Sequence, residues 1–323
     1  MNFDGNQISR KYFSRHLKDS ADQSIARKIP FLQHDPGQQL VIAVDTLVAG
    51  VHFPTQTSAA DIARKSLAVN LSDLAAMGAD PLAASLSLSL PGDDENWLMS
   101  FRDAFYEMAA DYDIRVQCDD IIQAGLRVTV QIYGTVQEDK ALRRDGARAG
   151  DHIYVTGTLG DAALGLKVLQ GDIVMNDEMA DALVTRLNCP VPHIKSGQKL
   201  RGLASSAIDI SDGLVADLLH ILDASGVAAE VVLDRLPLSS AYKSVFERAG
   251  QWLLALSGGD DYELCFTVPE SNVERLESLF RADEISYIGK ITSGSGLSVI
   301  EPSGDKHQPE DSGYDHFIKT ISG

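Results

Sequence analysis

The stretch at residues 207–225, AIDISDGLVADLLHILDAS, predicts a buried strand that runs directly into a helix. Its first part is short and apolar, and its second part repeats apolar residues with the 3.6-residue period of a helix. Alternation of strands and helices is typical of α/β proteins. Two of its acids, Asp209 and Asp212, stand where the strand meets the helix, and the stretch contains no Lys or Arg. Their charges need a partner from elsewhere.

Helix capping and metal binding are alternative explanations for this pair. Asp212 directly precedes the helix and is a possible N-cap. Capping leaves Asp209 unexplained, because it lies between two isoleucines and an unpaired carboxylate in an apolar layer is costly. Bound Mg²⁺ would offset that cost, since this cation prefers carboxylate oxygens. We favour the metal hypothesis, with the capping role of Asp212 left open.

The rest of the chain predicts two α/β units. In the first half, strands are expected at 39–53, 81–91 and 126–136, and helices at 59–79 and 95–113. A polar segment at 143–151 is a plausible junction. Beyond it, strands are expected at 152–157, 227–234 and 285–292, a helix at 160–171, and two short strands around a Gly-Gly turn at 252–269. We therefore expect an N-terminal domain at 1–140 and a C-terminal domain at 141–323.

Composition excludes several classes of function. Of the 323 residues, 46 are acidic and 28 are Lys or Arg, a net charge of −18 that disfavours nucleic acid and anionic membranes as partners. The three cysteines show no zinc or disulfide spacing. Neither a signal-peptide core nor an apolar run of membrane-spanning length is evident. We expect a cytoplasmic protein with no membrane or nucleic-acid partner.

Further acids stand where ligands are often found. Asp45 is expected at the end of the first strand, although turns also favour Asp. His52 follows the turn at Gly50 and is more commonly a packed loop histidine than a catalyst. Asp73 lies inside an apolar helix, where a charge needs a partner, although it could also cap a helix. CDDIIQAG (118–125) is either an exposed turn or a ligand segment.

Two glycine-containing segments are weak phosphate-site signals. SGGDDYELCF (257–266) joins a Gly-Gly turn to Asp260 and Asp261, and VTGTLGDAALGL (155–166) resembles a strand–loop–helix phosphate cradle. Neither a P-loop nor GxGxxG is present. Many acids near a phosphate-binding surface favour Mg²⁺-assisted phosphoryl transfer, because an acidic site binds polyphosphate only through cations.

The motifs together resemble those of the thiamine-monophosphate kinase family, in the superfamily of aminoimidazole ribonucleotide synthetase and selenophosphate synthetase. They are DTLVAGVHF, AVNLSDLAAMGADP, SLPGDDENWL, ALRRDGARAGDHIYVTGTLGDAALGL, AIDISDGLVADL, LSGGDDYELCFTVP, YIGKIT and GYDHF. The resemblance implies an N-terminal mixed-sheet domain that forms a barrel across a homodimer, and a C-terminal α/β domain. It implies transfer of the ATP γ-phosphoryl group to thiamine monophosphate with several Mg²⁺ ions.

The resemblance also implies roles for individual residues. Those implied for catalysis are Asp45, Asp73 and Asp212. Those implied for Mg²⁺ are Asp45, Asp73, Asp120, Asp209 and Asp212. ATP contacts are implied for Asp120, Arg144 and Ser211, and substrate contacts for His52, Asp260 and Tyr314. The family usually has Glu at the position of Asp260, so the charge is kept and about one methylene of reach is lost.

Two loops depart from the family pattern. Ala26-Arg27-Lys28 stands where a Gly-Asp-Asp loop is usual, and CDDIIQAG replaces Gly-Gly-Asp-Thr-Thr-Arg-Gly, which leaves Asp120 in register. Two functions therefore stay open: an active kinase, and a kinase-derived protein that binds thiamine phosphate or nucleotide with little turnover. The SGGDDYEL and GYDHF segments disfavour a third, another ATP-dependent member of the superfamily. Asp217 is expected to be an ordinary surface acid.

Overall fold

A computed structural model describes residues 4–13, 35–245 and 252–307 of the chain. The Ala26-Arg27-Lys28 segment and Tyr314 lie outside these ranges. The chain divides into two compact units, of which the first comprises Met1–Leu74 and Ala79–Asp139. The second comprises Ala75–Gly78 and Lys140–Gly323.

The first unit is a four-stranded sheet with helices. Its elements are α1 (Gly5–Ile8) followed by a π-helical turn (Ser9–Phe13), β1 (Gln38–Val48), α2 (Ala59–Ala76), β2 (Asp80–Leu90), α3 (Glu95–Asp111), β3 (Arg115–Gln123) and β4 (Arg127–Gln137). The strand order is β1-β4-β2-β3, antiparallel except for the parallel pair β2–β3. Asp94 begins α3 by accepting the backbone N–H groups of Asn96 and Trp97.

The second unit is built on a seven-stranded mixed sheet. Its elements are β5 (His152–Thr156), α4 (Asp161–Gln170), α5 (Asp177–Asn188), α6 (Ile194–Leu200), β6 (Ser206–Ile210), α7 (Leu214–Ser225), β7 (Ala228–Val232), α8 (Ser240–Val245), α9 (Leu253–Ser257), β8 (Glu263–Val268), α10 (Val273–Leu279), β9 (Ile285–Thr292), β10 (Gly296–Ile300) and β11 (Lys306–His307). The strand order is β11-β10-β7-β9-β5-β8-β6.

The core of the second unit lies between this sheet and its helices. Leu214, Leu218 and Ile221 of α7 are buried with Val231 of β7 and Cys265 of β8. All five residues of β6 are buried, and among the described strands β6 pairs with β8 alone. The short apolar run in the opening stretch is therefore an edge strand that is covered on both faces. The α/β, two-unit architecture predicted from the sequence is confirmed.

Three local predictions were wrong. Residues 252–257 form helix α9 and not a strand, because a short apolar run does not by itself distinguish the two. CDDIIQ lies within β3, so the turn alternative for this segment was wrong; Asp120 is exposed on this edge strand, where a charge blocks further pairing. Asp45 does not end its strand, since β1 continues to Val48.

In the described ranges, no helix combines the length and the apolar character needed to cross a membrane.

Candidate functional site

The turn between β6 and α7 carries three of the candidate residues. Asp209 is buried in β6, opposite Leu264 of β8, whereas Ser211 and Asp212 are partly exposed. Gly213 is the N-cap of α7. Asp212 therefore does not occupy the capping position, and the alternative explanation of this acid was wrong.

Asp217, near the N-terminus of α7, binds the backbone of the β6–α7 turn. Its Oδ2 accepts the backbone N–H of Ser211 at 2.9 Å and that of Asp212 at 3.0 Å. Only 3% of the residue is exposed. The prediction of an ordinary surface acid was wrong. The sequence did carry a signal, because Asp217 shares a helical face with Leu214 and Ile221, which are buried.

The carboxylates around this turn are electrostatically coupled. Burial is the largest cause that raises the pKa of Asp217, the charges of Asp209 and Asp212 act in the same direction, and the N–H groups of Asp212 and Ser211 oppose them; the resulting pKa is about 7. Three acids thus stand close enough to repel one another. A cation at Asp209 and Asp212 would relieve that repulsion.

A second loop, which carries Asp260, is hydrogen-bonded to this turn. The N–H of Asp260 donates to the carbonyl of Ser211 at 2.9 Å, and that of Tyr262 donates to the carbonyl of Ile210 at 2.7 Å. Asp260 and Tyr262 have φ angles of 71° and 52°, which are uncommon for residues other than glycine. Residue 260 is therefore presented beside the candidate metal turn by a strained backbone.

The same two loops also meet through glycine. A Cβ on Gly213, whose φ is 116°, would lie 2.8 Å from the carbonyl carbon of Ser257. A Cβ on Gly259 would lie 2.9 Å from the carbonyl oxygen of Ser211. The close approach expected toward a ligand at the Gly-Gly turn is thus made to the chain itself. We refer to residues 210–213 and 257–262 as the interlocked loops.

Asp261 ties the second interlocked loop to helix α4. Its carboxylate accepts the N–H of Gly160 at 2.7 Å and that of Ala162 at 3.4 Å. Burial raises the pKa of Asp261 well above its usual value, and the Gly160 N–H opposes the rise. The N-terminus of α4 therefore binds a carboxylate of this chain, and the segment at 155–166 is not an open phosphate cradle.

Glu263, one residue beyond the second interlocked loop, is the centre of a buried ionic cluster. Its carboxylate accepts a hydrogen bond from Thr156 Oγ1 at 2.6 Å, pairs with Arg186, and lies 2.5 Å from His193 Nε2. Burial raises the pKa of Glu263, but His193 and Arg186 outweigh burial and the net pKa is lowered. Sequence reasoning missed Arg186 and His193, because contacts between distant segments leave no local pattern.

Arg144 and Ser211 are not brought together. The carbonyl of Arg144 accepts a hydrogen bond from Ser225 Oγ, at the last residue of α7, whereas Ser211 precedes the first. Twelve helical residues span about 18 Å. The backbone of Arg144 therefore lies at the C-terminal end of α7, whereas Ser211 lies at its N-terminal end.

The remaining candidates that the structure describes belong to the first unit. Asp45 is partly exposed within β1, opposite Val130 of β4, and Asp73 is partly exposed on α2. Asp120 is exposed on β3, where it pairs with Ser87. His52 Nδ1 accepts the N–H of Val48 at 3.0 Å, so the ring is fastened to the end of β1.

The carboxylate oxygens around the β6–α7 turn are of the chemical type that binds Mg²⁺. Among the residues that the structure describes, no group of three or more His, Cys, Asp or Glu side chains could hold a metal ion by itself. Mg²⁺ does not need such a cage, since it is usually held by one or two carboxylates with substrate phosphates and water. Asp209 and Asp212 can supply those carboxylates.

Comparison with known proteins decides the family. Residues 26–136 match the N-terminal domain model of AIR synthase related proteins, and residues 148–301 match the C-terminal domain model. Over 315 residues the chain is 48% identical to thiamine-monophosphate kinase of Escherichia coli O157:H7, covering 95% of this chain and 96% of that protein. The chain belongs to the thiamine-monophosphate kinase family.

Solved structures of this family have the same fold. Thiamine-monophosphate kinase from Stenotrophomonas maltophilia K279a superposes with a TM-score of 0.81 at 41% identity, covering 91% of this chain and 94% of that chain. AaThiL complexed with AMPPCP and TMP superposes with a TM-score of 0.79 at 32% identity, covering 88% of this chain and 89% of that one.

Proposed function

We propose that this protein transfers the γ-phosphoryl group of ATP to thiamine monophosphate and releases thiamine diphosphate and ADP. One observation carries the proposal: the chain matches a thiamine-monophosphate kinase over 95% of its length at 48% identity. The related structure that contains AMPPCP, an ATP analogue, together with TMP supports both substrates.

The interlocked loops support a division of labour within the second unit. The Ser211–Asp212 turn would face the polyphosphate, with Asp209 and Asp212 as the residues that hold Mg²⁺. Asp260, fixed by its hydrogen bond to Ser211, would face the thiamine phosphate. Because the two loops are hydrogen-bonded to each other, the ATP phosphates and the thiamine phosphate would be held at a fixed distance and orientation. Such positioning is the main requirement of phosphoryl transfer.

Magnesium would supply charge neutralisation on the transferred phosphoryl group. In the first unit, Asp45 and Asp73 are our candidates for further ligands, and Asp120 for a ligand that also meets ATP. His52 and Tyr314 are our candidates for substrate contacts, and Arg144 for an ATP contact away from Ser211. The protein itself would act by positioning and by excluding alternative geometries.

A direct assay tests this proposal. Purified protein is incubated with ATP, MgCl₂ and thiamine monophosphate, and thiamine diphosphate is quantified by chromatography. We expect product that depends on all three components and disappears with EDTA. Thiamine in place of thiamine monophosphate is the matched control, and we expect no product from it.

The degenerate loops at 26–28 and 118–125 give the alternative function a specific basis. If thiamine monophosphate binds, by calorimetry, and no thiamine diphosphate forms, the protein is a binding protein derived from the kinase and the proposal fails.

We also propose a homodimer that forms through the sheet of the first unit. Strand β1 is an edge strand whose outward face exposes Leu40, Ile42 and Val44 at 40%, 52% and 60%. Alternate apolar residues on an open edge are an aggregation hazard unless a partner covers them. A second copy, related by a two-fold axis, would cover this face with an identical one.

The cytoplasm, where thiol groups stay reduced, is the compartment we propose.

A further inference from the structure

We infer that Asp217 is a positioning residue that fixes the Ser211–Asp212 turn in its metal-binding form. The inference rests on the proposed function, because it assigns a role relative to the Mg²⁺ and ATP candidates Asp209, Ser211 and Asp212. It goes beyond that function because Asp217 touches neither substrate nor, in our account, the metal.

The geometry that carries the inference is a pair of hydrogen bonds to one oxygen. Oδ2 of Asp217 receives the N–H groups of two consecutive residues, Ser211 and Asp212, at 2.9 Å and 3.0 Å. Consecutive N–H groups point in opposite directions in extended backbone and in similar directions in turns and helices, so the carboxylate selects the turn over extended backbone.

The location of Asp217 makes this hold rigid. The residue is buried on α7, and its neighbours Leu214, Leu218 and Ile221 are all at most 1% exposed. The helix therefore cannot rotate or shift without disturbing the core. Asp217 transmits the fixed position of α7 to the turn through its two hydrogen bonds.

The position of the Ser211–Asp212 turn also determines the position of the second interlocked loop. The carbonyl of Ser211, whose own N–H is bound by Asp217, accepts the N–H of Asp260. The chain of contacts thus runs from α7 through Asp217 and Ser211 to Asp260. Loss of the acceptor at Asp217 should loosen the candidate metal turn first and the Asp260 loop second.

Placing a third carboxylate beside two metal-binding acids increases their mutual repulsion without a cation. That cost argues for a specific role, because an apolar residue would pack at this position without it. Backbone N–H groups that need an acceptor are such a role.

Hydrogen exchange and magnesium dependence test the inference together. Two variants are made at Asp217. Asp217→Asn keeps an acceptor oxygen, whereas Asp217→Leu removes it and leaves a side chain of similar size. The matched controls are Asp223→Asn and Asp223→Leu, because Asp223 is exposed on the same helix. We expect Asp217→Leu to speed amide exchange of residues 211 and 212 and to raise the half-saturating Mg²⁺ concentration about tenfold or more. Its KM for thiamine monophosphate should change much less, Asp217→Asn should stay close to wild type, and both Asp223 variants should match wild type.

Three results would overturn the inference. One is fast exchange of the Ser211 and Asp212 amides in the wild-type protein itself. Another is an Asp217→Leu protein whose magnesium dependence equals that of wild type. The third is an equal loss in Asp217→Asn and Asp217→Leu, which would assign the effect to charge. Should Asp217→Leu not fold, Asp217→Ala is the second variant without an acceptor.

The outcome is separable from that of the proposed function. If the wild-type protein forms no thiamine diphosphate, the proposed function fails, while amide exchange still reports whether Asp217 holds the turn. Calorimetric titration of MgCl₂ into the wild-type and variant proteins then replaces the kinetic magnesium dependence.

Discussion

At the scale of single residues, burial separates the acids of helix α7 and its preceding turn into different roles. Asp212 is partly exposed, Asp217 is buried against two backbone N–H groups, and Asp223 is exposed. The helical period separates Asp217, which shares a face with the buried Leu214 and Ile221, from the exposed Asp223. Their chemistry follows from the direction in which the helix presents each one.

The first prediction concerns Asp212. Asp212→Asn removes the charge that a magnesium ligand needs. We expect kcat to fall by more than the roughly 10- to 100-fold loss that is typical when a residue hydrogen-bonded to a metal ligand is replaced. Steady-state production of thiamine diphosphate at saturating Mg²⁺ measures the effect. Asp223→Asn is the control and should retain wild-type activity. Equal activity of the two variants would contradict the assignment of Asp212.

The second prediction concerns pH and Glu263. The folded-state pKa of this carboxyl is lowered, so its charge stabilises the fold above about pH 4.5, and that stabilisation is lost as pH falls through the folded pKa. Glu263→Gln leaves Arg186 without its buried counter-charge, and we expect a loss of roughly 3 kcal/mol at neutral pH.

Urea unfolding at neutral pH and below pH 4 measures this dependence. We expect the stability difference between wild type and Glu263→Gln to shrink on acidification, because the wild-type carboxyl takes up a proton. Glu277→Gln, at an exposed position, should differ little from wild type at either pH. A difference that stays constant across the range would show that Glu263 contributes through packing and not through its charge.

At the scale of elements, the interlocked loops depend on a glycine at the start of α7. Gly213 has φ 116° and ψ 151°, a region that only glycine adopts readily, and its Cα faces the backbone of Ser257. Gly226, at the other end of the helix, has φ 66° and open space around it. An alanine at position 226 would therefore introduce backbone strain alone, whereas an alanine at position 213 would introduce both backbone strain and a collision with the second interlocked loop.

The third prediction follows from that contrast. Gly226→Ala should cost about 1–2 kcal/mol through the left-handed backbone alone and leave activity unchanged. Gly213→Ala should cost more in the same urea titration, and it should also reduce the rate of thiamine diphosphate formation, because the two loops must move apart. Retention of full activity by Gly213→Ala would mean that the contact between the loops is not needed for turnover.

Elements with strong periodicity could be predicted from the sequence, whereas edge and short elements could not. Helix α2, strand β4 and the β6–α7 unit lie where the apolar pattern predicts them, because long buried faces leave a clear period. Strand β3 carries charges that are acceptable only at an edge, and α9 is too short to show a period. The five-residue length of α9 leaves its conformation to tertiary packing.

The candidate site was predictable in its local part only. Asp209, Ser211 and Asp212 stand in one segment, and their proximity follows from chain continuity. Interlocking with the loop at 257–262, and the pairing of Arg186 and His193 with Glu263, join segments that are far apart in sequence. A single sequence carries no signal for such contacts.

At the scale of the whole molecule, the exposed face of β1 determines the oligomeric state that we expect. Lysine on this face places charge where an apolar surface would be buried against a second copy. We therefore predict that Ile42→Lys combined with Val44→Lys shifts the protein from dimer to monomer in sedimentation velocity. Val174→Lys, at a residue that is 92% exposed, is the control and should remain dimeric. A wild-type monomer at micromolar concentration would contradict the proposed dimer.

The claim on which the whole account depends is that the β6–α7 turn and the Asp260 loop form the magnesium and substrate end of a kinase site. The most direct measurement is a crystal structure of the protein with AMPPCP, thiamine monophosphate and Mn²⁺, in which anomalous scattering locates the metal. We predict a metal peak within about 2.2 Å of carboxylate oxygens of Asp209 or Asp212, with the thiamine phosphate beside Asp260. Metal and nucleotide bound away from the interlocked loops would contradict the account.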